Sequence, residues 1–378
     1  MKQDRKEKGN VPNLRFPEFE GEWEWYKLGD IAEIIGGGTP STNIEEFWNG
    51  EIQWFTPSEI KSNYISKSER TITKLGLSKS SAKLLPAGTI LLTTRATIGE
   101  VAIATEECTT NQGFQSLIVN NNINNVFIAN WIKKNKDEFI KRAKGSTFAE
   151  ISKIDINEMP IISPAIIEQN KIASFLSLLE ERIETQSQII EKYESLIKGI
   201  YTYLLRESNK YRKLGEFCQI KKGEQINRTE LLEIGKYYVM NGGVTPSGFY
   251  HSFNTKRNTI SVSEGGNSCG YVQYNDVPFW SGGHCYTLEN IDKNVNDRYL
   301  FHYLKANELQ IMALRIGSGL PNIQKKDLSL FCVPVPSLLN QKEIANALDK
   351  IIAKIELEKF GMAAYQKQKR YLLQSLFI

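Results

Sequence analysis

The sequence predicts an α+β protein in which two similar α/β modules are joined by two long α-helices that form an antiparallel coiled coil. Two observations predict this fold class. Apolar residues recur at alternating steps of four and three along one stretch, which is the pattern of a coiled-coil helix. The same pattern returns 172 residues later, so that module and helix occur twice. Such an internal repeat implies an approximate two-fold symmetry within the chain.

The repeated stretch is a heptad seam of roughly 38 residues, or about 57 Å of helix. The first seam consists of Ile172, Leu176, Leu179, Ile183, Gln186, Ile190, Tyr193, Ile197, Ile200 and Leu204. The second consists of Ile344, Leu348, Ile351, Ile355, Glu358, Met362, Tyr365, Lys369, Leu372 and Leu376. Two ordinary amphipathic core helices are the simpler interpretation, but two matching seams in one chain are better explained as partners.

The repeat divides the chain into five segments. We predict an N-terminal arm over residues 1–20, a first module over 21–164, a first helix over 165–206, a second module over 207–336 and a second helix over 337–378. The arm is assigned to a surface because it is polar and carries Pro12 and Pro17.

Within the first module, residues 32–35 predict a short strand followed by a loop at 36–41, because three consecutive glycines before Thr-Pro cannot continue regular structure. Apolar runs predict three further strands, over residues 90–95, 101–104 and 116–119. The stretch after them predicts a helix over 126–144, which ends at a glycine.

The second module repeats these signals with different residues. Arg-Lys-Leu-Gly-Glu at 212–216 matches Tyr-Lys-Leu-Gly-Asp at 26–30, and the strand at 259–262 matches the one at 89–92. A helix is predicted over 298–314, and it ends at Gly317, 172 residues after Gly145.

The two long helices are predicted to be antiparallel. Only about seven residues join the first helix to the second module, and domain termini usually lie close together. The second helix should therefore start where the first one stops. This arrangement predicts that the polar seam residues Gln186 and Glu358 lie within about 10 Å of each other.

Composition excludes several classes of protein. Hydrophobic residues make up 41% and charged residues 24%, with a net charge of +4, which is ordinary for a globular protein. Five cysteines without a CxxC pair and three histidines without ligand spacing indicate neither a disulfide framework nor a zinc site. No run of 18 apolar residues occurs, so a membrane partner is not expected and the cytoplasm is the expected location.

The sequence shows no catalytic motif. The glycine loop at 36–42 lacks the lysine of a phosphate-binding loop, and no Gly-x-Gly-x-x-Gly opens a helix. No nucleophile and base stand at recognisable spacing. The chain is therefore expected to hold neither catalytic residues nor a metal.

Two modules spaced along a rod suit duplex DNA, whose grooves repeat about every 34 Å. Polar loop residues could read base edges. The candidates are Thr39, Ser41, Thr94, Arg95, Thr97, Asn111, Gln112, Lys144 and Ser146 in the first module, and Asn241, Asn267, His284, Arg315 and Ser318 in the second. For each of them, a structural turn is an equally good interpretation. A basic run over 133–144 could hold phosphates or be an ordinary solvated helix face.

Several of these segments together resemble one known family, the specificity (S) subunits of type I restriction–modification enzymes. The resemblance is carried by residues 12–19 (Pro-Asn-Leu-Arg-Phe-Pro-Glu-Phe), 25–30, 37–41, and Pro164 with 168–173, repeated as Pro336 with 341–345. It covers almost the whole chain.

This resemblance implies two target recognition domains, each reading one half of a bipartite target in double-stranded DNA. It implies that the helices set the gap and dock two methyltransferase (modification) subunits, which bring two restriction subunits. The chain would be the non-catalytic part of a site-specific deoxyribonuclease and adenine-N6 DNA methyltransferase complex. S-adenosylmethionine, ATP and magnesium would belong to the partner subunits, and no cofactor to this chain. Base-reading residues form no fixed motif in this family, so none is carried over.

Two other functions stay open. A coiled-coil protein-interaction scaffold without DNA specificity would fit the small net charge, and DNA-independent assembly would favour it. A self-contained nuclease would need a carboxylate cluster, which the sequence does not show.

Overall fold

The computed structural model of the chain describes residues 9–145, 149–206, 211–317 and 321–378, with main chain only for 203–206. Contacts divide the protein into two units, Met1–Gln186 with Gly361–Ile378, and Ser187–Phe360. Each unit therefore contains one module and a part of each long helix. The predicted site residues Ser146 and Ser318 lie outside the described residues, as does the side chain of Leu204.

In its described residues, the first module contains ten strands and five short α-helices before the first long helix. The strands are β1 (Glu24–Lys27), β2 (Ala32–Gly36), β3 (Trp48–Phe55), β4 (Tyr64–Ile65), β5 (Arg70–Ile72), β6 (Ile90–Thr93), β7 (Val101–Ala104), β8 (Cys108–Thr110), β9 (Phe114–Val119) and β10 (Pro160–Ser163). The helices are α1 (Leu28–Ile31), α2 (Lys74–Ser78), α3 (Asn125–Lys134), α4 (Lys136–Arg142), α5 (Lys153–Asn157) and the long α6 (Ile166–Arg206).

A five-stranded mixed sheet in the order β2-β9-β6-β7-β4 forms the centre of this module. Its middle strands β6 and β7 are buried at every residue, as expected for strands covered on both faces. A three-stranded sheet, β5-β3-β8, and the antiparallel pair β1-β10 complete the module. The pair β1-β10 brings the chain directly to the start of α6.

The second module repeats this plan with fewer elements. Its strands are β11 (Tyr211–Lys213), β12 (Gln219–Lys222), β13 (Tyr237–Met240), β14 (Gly248–Tyr250), β15 (Thr259–Ser263), β16 (Val272–Asn275), β17 (Trp280–Ser281), β18 (Cys285–Glu289) and β19 (Cys332–Pro334). Its helices are α7 (Asp297–Ala306), α8 (Glu308–Met312), α9 (Lys325–Ser329) and the long α10 (Leu338–Ser375). The sheet orders β12-β18-β15-β16, β14-β13-β17 and β11-β19 correspond to those of the first module.

The predicted helices over 126–144 and 298–314 are each broken in two, so the prediction of one continuous helix was wrong. The breaks fall at Asn135 and Asn307, which are equivalent residues of the repeat. Each side-chain amide donates to the carbonyl oxygen four residues earlier, at 2.9 Å to Trp131 and 2.8 Å to Tyr303. An asparagine that bonds its own helix competes with the backbone ladder and ends the helix.

The long helices pair in an antiparallel manner in both units, as predicted. In the first unit, Glu180 of α6 accepts from Lys369 of α10 at 2.6 Å, and Arg182 lies over Tyr365. Residue numbers rise along α6 while they fall along α10. In the second unit, Lys359 pairs with Glu194 at 3.4 Å, and Ile197 and Ile200 pack with Ile344 and Leu348.

The heptad pattern identifies the packed face of both helices. Every seam residue whose side chain is described is buried or half-buried, including the polar Gln186 and Lys369. Gln186 and Glu358 belong to different units, so their predicted separation stays a prediction.

The N-terminal segment from Gly9 lies against the helices of the first unit. Arg15 makes two hydrogen bonds to the buried carboxylate of Glu168, at 2.8 and 2.7 Å. Phe16 packs edge-on against Phe175 of α6, and the Leu14 amide donates to the Ser375 carbonyl. These residues therefore join the arm to the first turns of α6 and the end of α10.

A buried glutamine fastens each module to its long helix. In the second unit, Gln341 is fully buried, donates to the carbonyls of Pro336 and Asn294 at 2.8 and 3.0 Å, and accepts from the Asn296 amide at 2.8 Å. In the first unit, its equivalent Gln169 donates to Pro164 and accepts from Asn124. This explains why the Gln, and the Pro five residues before it, recur in the sequence.

We expect Gln341→Leu to lower the free energy of unfolding by about 2–3 kcal/mol, because it leaves two carbonyls and one amide buried without partners. Urea unfolding followed by circular dichroism measures this loss. Gln188→Leu, an exposed residue of α6 in the same unit, is the control and should change stability little. Equal effects of the two variants would show that Gln341 does not fasten the module.

A charged cluster adds a second attachment in the second unit. The buried His302 of α7 contacts Asp349 of α10 at 2.7 Å, and the Arg298 Nε donates to the same carboxylate at 3.0 Å. Burial alone would raise the pKa of Asp349, but the hydrogen bonds from Arg298 and His302 outweigh it and lower that pKa. Asp349 therefore stays ionised and ties α7 to the long helix.

Candidate nucleic-acid interface

Four loops of the first unit are joined by backbone hydrogen bonds into one surface. The Gly38 amide donates to Thr110 at 2.8 Å, the Thr94 amide to Gly113 at 2.8 Å, and the Ile151 amide to Thr94 at 3.3 Å. We call the surface formed by residues 37–41, 94–97, 110–113, 144–145 and 149–151 the first loop ridge. The ridge begins where β2, β6 and β8 end.

The glycine loop is needed for this close packing. A Cβ on Gly37 would lie 1.9 Å from the Asn111 carbonyl oxygen, a distance that no real side chain tolerates. The indole nitrogens of Trp54 and Trp48 donate to the carbonyls of Gly38 and Ser41 at 2.9 and 3.1 Å. Gly37 therefore allows the loop to approach the Asn111 backbone, and the two tryptophans hold the loop by hydrogen bonds to its carbonyls.

The first loop ridge brings together eight of the nine candidate residues of the first module, all except the undescribed Ser146. Ser41, Arg95, Thr97, Gln112 and Lys144 are exposed, Thr39 and Asn111 are half-buried, and Thr94 is buried. The strand predicted over 90–95 ends at Thr93. The Thr94 amide donates to the neighbouring loop and not to β7 or β9.

Several of these side chains already have partners within the unit. Arg95 pairs with Glu150 at 2.9 Å, and Lys144 pairs with Asp155 at 3.3 Å. Hydrogen bonds from Ser152 and then Lys144 lower the pKa of Asp155. Thr39 donates to the Gln112 side-chain oxygen at 2.5 Å.

The basic run over 133–144 is not a row of free cations. Lys133 is largely buried, bonds to Asn63 at 2.6 Å and lies 3.4 Å from Glu180, and burial lowers its pKa. Lys136 and Lys141 pair with Glu100 and Glu138. Lys133, Lys136, Lys141 and Lys144 of the run therefore neutralise acids of their own unit.

The second unit has an equivalent surface with the same backbone pattern. The Glu224 amide donates to Ser281 at 2.8 Å, the Glu264 amide to His284 at 2.9 Å, and the Ile323 amide to Glu264 at 2.8 Å. We call the surface formed by residues 222–226, 241–243, 264–268, 281–285, 315–317 and 321–323 the second loop ridge. In the second loop ridge, Glu264 occupies the position equivalent to that of Thr94 in the first loop ridge.

A groove runs through the second loop ridge. Three of the predicted residues, Asn241, Asn267 and His284, line it. The Asn241 side chain accepts from the His284 amide at 3.1 Å, and Arg315 is exposed elsewhere on the same ridge.

The sequence did not single out three further residues of this groove, Lys222, Glu264 and Asn322. The repeat marks only Asn322 among them, because Asn322 and Glu150 are 172 residues apart and both form backbone bridges in their ridges. Across the residues that the structure describes, no three His, Cys, Asp or Glu side chains form a group able to hold a metal ion. In the same residues, every helix is too short or too polar to span a lipid bilayer.

Comparison with known proteins finds one family. The family model described as "Type I restriction modification DNA specificity domain" matches residues 20–195 and again 206–364. The specificity subunit of the type I restriction enzyme MjaIX of Methanocaldococcus jannaschii is 41% identical over 179 residues, covering 45% of this chain and 41% of the relative.

Two Escherichia coli relatives extend this likeness. The EcoR124I/EcoR124II specificity subunit is 32% identical over 205 residues, covering 52% of this chain and 47% of the relative. The EcoprrI specificity subunit is 26% identical over 363 residues and covers 87% of both chains. The MjaIX and EcoR124I/EcoR124II matches thus span less than half the length of those relatives.

Solved structures show the same fold. The S subunit of the type I restriction–modification system from M. genitalium matches with a TM-score of 0.71 at 20% identity, over 97% of this chain and 99% of that chain. A chain from a study of complex assembly and conformational transition of the type I R-M system matches with a TM-score of 0.55 at 17% identity, over 95% and 98%.

Proposed function

We propose, from the premise that this chain belongs to the type I restriction modification DNA specificity domain family, that it recognises a bipartite target in double-stranded DNA. Each loop ridge reads one half of the target in the major groove, and the paired long helices set the gap between the halves. The chain performs no chemistry itself.

One observation carries this proposal: the two loop ridges have like backbones and unlike side chains. Three amide-to-carbonyl bonds recur, while Thr94 corresponds to Glu264 and Glu150 to Asn322. Phosphate contacts position a protein on DNA, whereas side chains at base edges select the sequence. Two different half-sites therefore require two ridges with the same backbone arrangement and different side chains.

The charge balance indicates that the chain alone holds DNA weakly. Its net charge is only +4, and the ridge cations Arg95, Lys144 and Lys222 are paired within the chain. Phosphate neutralisation supplies most of the affinity of DNA-binding proteins and weakens as salt rises. Partner subunits must therefore add further DNA contacts.

The long helices supply the docking surface for those partners. Ile167 and Leu339 are equivalent residues in the first turns of α6 and α10, and they are 71% and 67% exposed. The recurrence of an exposed large apolar side chain at equivalent positions of both helices supports two equivalent binding sites. We assign them to two methyltransferase (modification) subunits, which bring two restriction subunits. S-adenosylmethionine, ATP and magnesium are then used by these partners, in the cytoplasm.

Replacing both exposed residues, Ile167→Glu with Leu339→Glu, should weaken binding of the modification subunit at least tenfold, because each charge would be placed against an apolar surface. Analytical ultracentrifugation of the mixture measures the assembly. Ile234→Glu is the control, since Ile234 is 89% exposed but lies in the second module. Normal assembly by the double variant would remove these positions from the interface.

Reconstitution tests the proposed function itself. The purified chain alone should bind plasmid DNA weakly and lose binding as salt rises. With the modification subunit and S-adenosylmethionine, it should transfer methyl groups to adenines of that DNA. Assembly that forms equally well without DNA, shows no salt response and transfers no methyl group would favour a protein scaffold instead.

A further inference from the structure

Building on the proposed function, we infer that Glu264 is a specificity-determining residue that accepts a hydrogen bond from the exocyclic amine of a cytosine in the half-site read by the second module. The inference starts from the position of this carboxylate at the second loop ridge. Glu264 lines the groove together with Lys222, Asn267 and His284, yet it is only 8% exposed.

One oxygen of Glu264 is fully engaged and the other is not. Oε1 accepts from Lys222 Nζ at 2.7 Å and from the Tyr286 hydroxyl at 2.9 Å. Oε2 is buried, and among the described residues no group donates a hydrogen bond to it. A buried carboxylate oxygen without a hydrogen-bond donor lowers the stability of the folded protein. We therefore infer that Oε2 accepts a hydrogen bond from a bound ligand.

His284 lies beside this oxygen and can give way to a ligand. Its Nδ1 is 3.8 Å from Oε2, and its side chain is 61% exposed. At that distance no hydrogen bond holds the ring in place. A base edge that enters the groove can therefore take the place of the imidazole next to Oε2.

The first module supports the same role for this position. Thr94 is equivalent to Glu264, is fully buried, and its Oγ1 likewise has no hydrogen-bond partner among the described residues. The two ridges therefore each have, at the same position, a buried side-chain oxygen without a hydrogen-bond partner among the described residues. A hydroxyl both donates and accepts, so Thr94 selects no single base, whereas a carboxylate only accepts.

The chemistry of base edges favours cytosine over adenine. Cytosine presents its N4 amine as the donor in the major groove, whereas adenine presents the acceptor N7 next to its N6 amine. A carboxylate that approaches adenine would face that second acceptor and be repelled. Lys222 balances the charge of Glu264, which lets the carboxylate approach a polyanion.

The test uses the full chain assembled with its modification subunit, after the methylated target has been mapped. Each cytosine of the half-site belonging to the second module is replaced in turn by 2-pyrimidinone, which lacks the N4 amine. We expect one replacement to reduce methylation at least tenfold with the wild-type chain and to have less than a twofold effect with Glu264→Gln.

Glu264→Gln should also lower the preference for cytosine over adenine at that position, because an amide pairs with adenine at two points. Glu289→Gln, a carboxylate of β18 that pairs with Lys221, is the matched control and should keep the wild-type preference. Where Glu264→Gln does not fold, judged by circular dichroism, Glu264→Thr takes its place and should lose the preference in the same way, because a hydroxyl both donates and accepts.

Three results would overturn the inference: a half-site without a C·G pair, no sensitivity to loss of any N4 amine, or an unchanged preference in the Glu264 variant. In each of them the wild-type complex still methylates a bipartite target. Failure of the proposed function is distinct, since the wild-type complex would then methylate no such target.

Discussion

A heptad inserted at matched points of both long helices should change the gap between the half-sites and leave the half-sites themselves unchanged. The insertions go after Gln186 in α6 and after Phe360 in α10, where the chain passes from one unit to the other. Seven residues keep the alternation of the seam and lengthen each helix by about 10.5 Å. That length corresponds to about three base pairs of duplex at about 3.4 Å each.

Methylation of targets with the original spacing should fall at least tenfold, and any target still methylated should combine the same two halves at a new spacing. Sequencing of methylated adenines measures both. A heptad placed in α6 alone is the control, because it puts the seam out of step with α10 and should lower thermal stability instead. Unchanged spacing with both insertions would mean that the helices do not set the gap.

Exchange of the second module is expected to have the other large effect. Residues 211–335 would be replaced by the corresponding segment of another family member, which keeps the β11-β19 pair at its ends and leaves Gln341 and Asp349 in place. The exchanged chain should methylate a target with one new half, because all residues of the second loop ridge change together. The other half and the gap should stay as before.

Mapping the targets of the parent and exchanged chains measures this result, and exchange of the first module is the reciprocal control. A change in both halves after one exchange would contradict independent reading by the two modules. Loss of all methylation by a folded, assembled chain would do so as well.

The sequence predicted the long helices well because their packing obeys a simple rule. A seam of alternating steps has one packed face, and the structure buries or half-buries each described residue of it. The repeat predicted which segments correspond, so Gln169 and Gln341 could be recognised as equivalent before their hydrogen bonds were known. Antiparallel pairing followed from the short linker.

Other features depend on contacts that periodicity does not record. The breaks at Asn135 and Asn307 arise from side-chain hydrogen bonds, which the apolar pattern does not show, although the repeated asparagine was a usable signal. Lys133 looked like a phosphate ligand because charge is visible in a sequence whereas its partner Glu180, 47 residues away, is not.

The loop residues show the same limit more sharply. The sequence selected Asn267 from the segment 264–267 because amides are familiar base readers. The structure directs attention to Glu264, since only coordinates reveal that one carboxylate oxygen is engaged and the other is left without a donor. Whether a polar atom is buried and hydrogen-bonded depends on its surroundings, and those of the Glu264 carboxylate include Lys222, His284 and Tyr286.

Sequencing all methylated adenines in a host that expresses this chain with its modification subunit, and has no adenine methylation of its own, tests the central claim most directly. The proposed function predicts one bipartite sequence, with two different specified halves and a fixed gap of unspecified bases. A single uninterrupted target, or two identical halves, would contradict the claim.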